Sequence, residues 1–192
     1  MTEEQILKIY ERHGALLKGH FLLSSGLHSD TYLQTALVMQ YPVIAESIIG
    51  ELVKKVYDIP FDTVVSPAIG GIRFGYEFAR LLRKRAIFTE RENNIMTLRR
   101  GFTIKPGESV MIAEDVVTTG KSTMECVKVA EDHGAKIVGI VCMIDRSGGE
   151  VEFPYPFFPL VRVKVGTYKP EECPLCKSGL PLVKPGSRKI EQ

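Results

Sequence analysis

Glu114 and Asp115 stand side by side at the end of an apolar run, Val110-Met111-Ile112-Ala113. Val116 and Val117 follow, then a loop of small and hydroxyl-bearing residues, Thr118-Thr119-Gly120-Lys121-Ser122-Thr123. Adjacent carboxylates at the end of a buried strand are costly unless they bind something. A helix starting near Lys121 offers unpaired backbone N–H groups and a positive dipole end, which suit a phosphate. The acids upstream suit vicinal hydroxyls or a magnesium ion. Together these residues describe a sugar-phosphate site. The nucleotide-triphosphatase loop, which Gly120-Lys121-Ser122 brings to mind, requires a glycine five residues before Gly120, and Asp115 stands there. A plain turn before a helix accounts for the glycine and threonines but leaves the two acids unexplained.

Three further segments carry chemistry. Ser66-Pro67-Ala68-Ile69-Gly70-Gly71 has two glycines between a strand and a helix, which let backbone approach a ligand closely or simply make a tight turn. Asp145-Arg146 closes a later strand, and an arginine there either forks onto a carboxylate or is a solvated charge. Cys173-Pro174-Leu175-Cys176 has the spacing of half a zinc site. Completing four ligands requires Cys126 and Cys142, which fall on a predicted helix and strand, or a second subunit. The simpler reading is a tail turn packed with small apolar sulfurs, and no direct protein ligation of a metal is expected. His133 is read as a helix end.

The elements that must position these groups alternate in the α/β manner. Residues 3–17 follow helical spacing through Ile6, Leu7, Tyr10 and Leu17, and residues 42–56 follow Pro42, a good first-turn residue. A strand over 63–66 leads into a helix over 72–84. Strands follow at 86–89 and 97–102, then a turn at 105–108 and a strand at 109–114. A helix over 121–133 ends at His133-Gly134, and a strand over 136–144 closes on Asp145-Arg146. Strands alternating with helices predict a mainly parallel sheet with ligands outside its carboxyl edge, where the clusters fall.

Composition agrees with a single-domain enzyme of 192 residues: an N-terminal segment 1–40, a core 60–165 and a tail 166–192. There is no apolar run of membrane-spanning length, and Met1-Thr2-Glu3-Glu4 is too acidic for a secretory signal. Four cysteines without an export signal indicate reduced thiols and a cytoplasmic location. A net charge of +2 gives no reason to expect nucleic-acid or membrane binding.

The acid-pair segment resembles the phosphoribosyl pyrophosphate signature of type I phosphoribosyltransferases, with Glu-Asp for the commoner Asp-Asp. The resemblance implies that fold, with a small N-terminal hood. It implies donor contacts from Glu114, Asp115, Val116, Val117, Thr118, Thr119, Gly120, Lys121 and Ser122, and from Ile69 and Gly70 in the pyrophosphate loop. The segment Phe21 to Tyr32, with Ser25-Gly26-Leu27-His28-Ser29, is similar to the base-pocket motif of orotate phosphoribosyltransferases, and Asp145-Arg146 matches their Asp-Arg. It implies an orotate pocket built by Ser25, Gly26, Thr118 and Arg146, whose guanidinium meets the orotate carboxylate. The match spans most of residues 1–165 and is closest to a short subgroup with Met96-Thr-Leu-Arg-Arg-Gly-Phe102 and the Cys-Pro-Leu-Cys tail. Three positions depart from the better-known pattern: Ser24 and Gly70 stand where lysines occur, and the mobile loop over residues 90–101 keeps only Arg91 in register. The implied activity is phosphoribosyl transfer to orotate. Catalysis falls to Glu114, Asp115 and Arg91, with Arg99 or Arg100 supplying further charge, Mg2+ as cofactor and a homodimer as the assembly. Purine or xanthine phosphoribosyltransferases and a non-catalytic regulator of the same fold are the alternatives.

Overall fold

The computed structural model describes residues 1–23 and 26–185. The chain opens on α1 (Glu3–Arg12), held by a capping box in which Thr2 and Gln5 exchange hydrogen bonds. Its apolar face buries Ile6 and Tyr10. The helix stops at His13-Gly14, earlier than the expected 3–17, because Gly14 turns the backbone left-handed (φ 64°). Leu16 and Leu17 then belong to β1 (Leu16–Leu22), which pairs antiparallel with β2 (His28–Leu33). A short α2 (Ala36–Met39) and α3 (Pro42–Val56) lead into the core.

The core units are β3 (Thr63–Pro67), α4 (Gly70–Leu82), β4 (Arg85–Glu92), β5 (Ile95–Leu98), β6 (Ser109–Val117), α5 (Lys121–Asp132), β7 (Lys136–Asp145) and β8 (Phe157–Arg162). The six strands form one sheet in the order β5-β4-β3-β6-β7-β8, parallel throughout except for β5. A separate three-stranded antiparallel sheet joins β1 and β2 to β9 (Thr167–Tyr168). That small sheet, with β8 and β9, lies in stretches where the sequence reading placed no strands.

Alternation along the central strands divides the core. Val64, Met111 and Val141 face one apolar cluster with α1, α3 and α4, while Val65, Ile112 and Ile140 face the other with α5. Both sheet faces are therefore covered, as a parallel sheet requires. The segment expected as a mobile loop over 90–101 is instead the β4–β5 hairpin. Asn93 and Asn94 take left-handed backbone (φ 50° and 64°), the geometry of a tight hairpin turn that asparagine tolerates. Glu90 binds Arg100 at 2.8 Å and Glu92 binds Arg99 at 3.0 Å, which further tie the hairpin to the turn after it. Among the described residues, no helix is long and apolar enough to cross a membrane.

Candidate active site

Register brings the sequence clusters together. In the β6–β7 pair, Glu114 lies opposite Cys142 and Val117 opposite Asp145, and the Arg146 backbone N–H donates to the Val117 carbonyl at 2.8 Å. The acid pair, the hydroxyl loop and Arg146 thus share one end of two adjacent strands, at the carboxyl edge. On the other side of β6, β3 runs parallel with Val65 opposite Ile112. The turn after β3 therefore reaches the acids.

That approach explains Gly70. A β-carbon at this position would sit 2.6 and 2.7 Å from the two carboxylate oxygens of Asp115. Any side chain at this position requires the Asp115 carboxylate to move, so glycine lets the turn close directly onto the acid pair. The preceding Ala68–Ile69 peptide is cis, and the Ile69 side chain is exposed.

Glu114 is buried, and the Thr123 hydroxyl donates to its Oε2 at 3.3 Å. Burial, reinforced by the neighbouring Asp115, pushes the Glu114 carboxyl up to about 9. Burial likewise raises Asp115 above the usual carboxylate range. A closely spaced, poorly solvated acid pair of this kind is relieved by hydrogen-bond donors or by positive charge. The N-cap of α5 is Gly120, left-handed (φ 72°) and without a capping side chain, and the Lys121 N–H donates at 3.4 Å to the Thr119 hydroxyl. That bond is long, and the positive end of the α5 dipole lies at this loop. A side chain at Gly120 would collide with Phe153 and Val151.

Beside these groups opens a cavity of about 860 Å³. Thr118, Thr119 and Arg146 line one side. Leu22, Leu23, Leu27 and Tyr32 from the small sheet and the β1–β2 connection line another, and Lys164, Gly166–Tyr168 and Lys184-Pro185 close it. The Arg146 Nε is buried without a hydrogen-bond partner, and burial lowers its pKa, against the favourable nearby Tyr32 and Asp30. Asp145 does not pair with Arg146. Its carboxylate accepts from the Ser147 backbone N–H at 2.9 Å and the Ser147 hydroxyl at 2.6 Å, and approaches Arg162 at 3.5 Å. Asp145 therefore fixes the loop that presents Arg146.

Other expected groups lie elsewhere. Arg91 donates to Glu125 on α5 and to the Asn94 carbonyl at 3.1 Å, and it does not line the cavity. Arg99 and Arg100 are engaged by Glu90 and Glu92. Gly26 is left-handed (φ 83°) in the β1–β2 connection, while Ser25 lies outside the described residues. Ser29, fully buried, bonds the Thr31 and Gly166 carbonyls at 2.9 Å each and so joins the small sheet to the cavity wall. Cys126 and Cys142 are buried in the core, apart from Cys173 and Cys176, so they do not complete a four-cysteine set. His28 turns from the cavity toward those two tail cysteines and His20. Tyr32, Lys164 and Lys184 escaped the sequence reading; only Tyr32 had a local signal, as the last residue of the quoted base-pocket motif.

Comparison with known proteins agrees with this geometry. The model of the phosphoribosyl transferase domain family matches residues 40–158. An orotate phosphoribosyltransferase of Caldanaerobacter subterraneus subsp. tengcongensis is 50% identical over 190 residues, covering 99% of this chain and all of that protein. One from Thermotoga maritima is 48% identical over 188 residues, covering 97% of this chain and all of its own. The crystal structure of orotate phosphoribosyltransferase from Aeropyrum pernix has the same fold, with a TM-score of 0.69 at 22% identity over 83% of this chain and 94% of that one. With full-length identity near one half and a matching domain model, the chain belongs to the orotate phosphoribosyltransferases of the type I phosphoribosyltransferase family.

Proposed function

We propose that this chain transfers the phosphoribosyl group of phosphoribosyl pyrophosphate to orotate, giving orotidine 5′-monophosphate and pyrophosphate in pyrimidine synthesis. The observation that carries the choice of base is Arg146: a partly desolvated guanidinium, its Nε unpartnered, on the wall of a cavity beside the acid pair. Orotate is a planar anion, and its carboxylate supplies the acceptors that Arg146 lacks.

The roles of the chain's groups follow from their placement. Backbone amides over 118–122 hold the 5′-phosphate at the start of α5. Glu114 and Asp115 hold the ribose hydroxyls and lower the energy of the positive charge that grows on the sugar as the C1′–O bond breaks. The turn at Ile69-Gly70 faces the pyrophosphate with backbone. Magnesium, when bound with the donor, supplies the positive charge that offsets the departing pyrophosphate. The buried acid pair fits that cation through the donor's hydroxyls, since both carboxyls are raised by burial and gain from positive charge. Arg91 adds to this once Glu125 releases it. Little covalent chemistry falls to the protein, so positioning dominates.

The same reading includes a cytoplasmic homodimer. The dimer is what the family resemblance implies, and the oligomeric state in solution tests it. The decisive experiment incubates purified protein with the donor, magnesium and a panel of orotate, uracil, adenine, hypoxanthine and xanthine. Orotate alone should be ribosylated at an appreciable rate. Turnover of a purine with none of orotate, or donor binding without turnover of any base, refutes the reading.

A further inference from the structure

Away from the cavity, four side chains from two distant parts of the sequence converge. His20 on β1, His28 on β2, Cys173 and Cys176 point their ligand atoms at one another, all within 4.8 Å. Cys173 caps a short helical turn, Pro174–Lys177, that carries Cys176. His20 Nε2 lies 2.9 Å from His28 Nδ1, 3.5 Å from Cys173 Sγ and 3.7 Å from Cys176 Sγ. His28 Nδ1 lies 3.3 Å from Cys176 Sγ. His20, His28 and Cys173 are buried.

The tautomer of His20 is fixed from outside the cluster. Its Nδ1 is 2.7 Å from the Leu180 carbonyl oxygen, which only accepts, so Nδ1 carries the proton. A neutral imidazole then has a lone pair on Nε2, aimed into the cluster. A proton from His28 Nδ1 or from a thiol can satisfy that lone pair, but it accepts one such bond well, and three ligand atoms lie within 3.7 Å of it. We infer that His20, His28, Cys173 and Cys176 form a structural zinc site that clamps the C-terminal tail to the β1–β2 hairpin. The donor set is the two-nitrogen, two-sulfur set of closed tetrahedral zinc sites. Tetrahedral Zn–N and Zn–S bonds place ligand atoms about 3.3 to 3.8 Å apart, the spacing of the three nitrogen–sulfur pairs at 3.5, 3.7 and 3.3 Å, while the two histidine nitrogens at 2.9 Å would part slightly around the ion. The Leu180 carbonyl is the outer partner that metal-bound histidines usually have. Imidazole with thiolate favours zinc over magnesium or calcium.

The tail also has reason to be clamped there. Beyond the cysteines it returns along β1, where the Leu22 N–H donates to the Val183 carbonyl and the Val183 N–H to the His20 carbonyl, each at 2.8 Å. This inference does not depend on which base is ribosylated.

The test uses the full untagged chain, purified without chelator and under reducing conditions. Elemental analysis should find about one zinc per chain. Replacing it with cobalt should give the visible bands of tetrahedral Co2+ and near-ultraviolet sulfur-to-cobalt charge transfer. Cys176→Ser, at the exposed ligand, should lose most of the zinc and weaken the charge-transfer band, while His133→Gln, outside the cluster, should keep both. Should Cys176→Ser fail to fold, the cobalt spectrum of the parent still decides. Zinc below about a tenth per chain even after incubation with Zn2+ overturns the inference. So does zinc retained by a Cys173→Ser/Cys176→Ser double variant, iron in place of zinc, or a Cys173–Cys176 disulfide in the reduced preparation.

Discussion

Arg146→Met separates binding from stability in opposite directions. Methionine keeps an unbranched stem of similar reach and removes the guanidinium. In the ligand-free protein that guanidinium is partly desolvated, with Nε buried and unpartnered. A buried unsatisfied polar group costs about 1–3 kcal/mol. Losing it should raise the stability of the empty protein by ~1 kcal/mol, or about 2–4 °C in Tm for a chain of this size. With orotate the sign reverses. A charge-assisted fork to a carboxylate is worth ~2–4 kcal/mol when buried, so kcat/KM for orotate should fall about 30- to 1000-fold. The donor's KM should change little, and uracil, which lacks the carboxylate, should be equally poor with parent and variant. Melting curves without ligand and initial rates with both bases measure the two arms. Equal loss of donor and orotate affinity, or a drop in ligand-free Tm of several degrees, refutes the assignment of Arg146 as a base reader held in reserve.

Asp115→Asn keeps shape and removes charge beside the developing oxocarbenium ion; kcat should fall ~100-fold, about 2.7 kcal/mol, with the fold intact on circular dichroism, and a near-normal kcat counts against the role. Gly70→Ala places a β-carbon against the Asp115 carboxylate, so kcat/KM for the donor should drop ~10-fold or more with Tm nearly unchanged; parental kinetics exclude the close approach as a requirement. The Glu114 carboxyl is raised to about 9, so the folded state binds its proton more tightly than the unfolded chain, and the associated stability is present at low pH and lost as pH rises toward that value. Glu114→Gln should therefore gain stability over the ligand-free parent between about pH 5 and about pH 8, by up to about 1.4 kcal/mol per pH unit, and a Tm difference that stays flat with pH contradicts the burial of a neutral carboxyl.

Donor-side features were legible because local sequence determines them. A strand, two acids and a small-residue loop follow one another in the chain, and the parallel register only has to align three such strand ends. Arg146 was legible for the same reason, lying one residue beyond its strand. The base-side wall was not. β1 has exposed Leu17 and Lys18 beside a buried His20, so neither strand alternation nor helical spacing is clean there, and Leu17 extends the helical pattern of α1. Tyr32, Gly166 and Lys184 meet only through tertiary pairing of segments far apart in sequence. The hairpin at 90–98 was hidden by the family pattern of a mobile loop, although Asn93-Asn94 carried the turn signal. The tail cysteines were visible as a pair, but their histidine neighbours are about 150 residues away in sequence, and no spacing rule reaches across that gap.

The small antiparallel sheet has a consequence for how this enzyme is made and how it diversifies. Its strands come from residues 16–33 and 167–168, whereas every group assigned to the donor lies between β3 and the start of β7. During synthesis the core strand ends can assemble once β7 and Arg146 emerge, while the cavity wall built by the small sheet waits for β9, so a nascent chain holds its charged groups before the cavity around them is closed. The same separation leaves the two halves mutable apart. Substitutions in the outer segments reshape the wall against which the base rests without touching the acids, the amide cradle or the glycine turn, while Arg146 and Thr118 keep their place in the core.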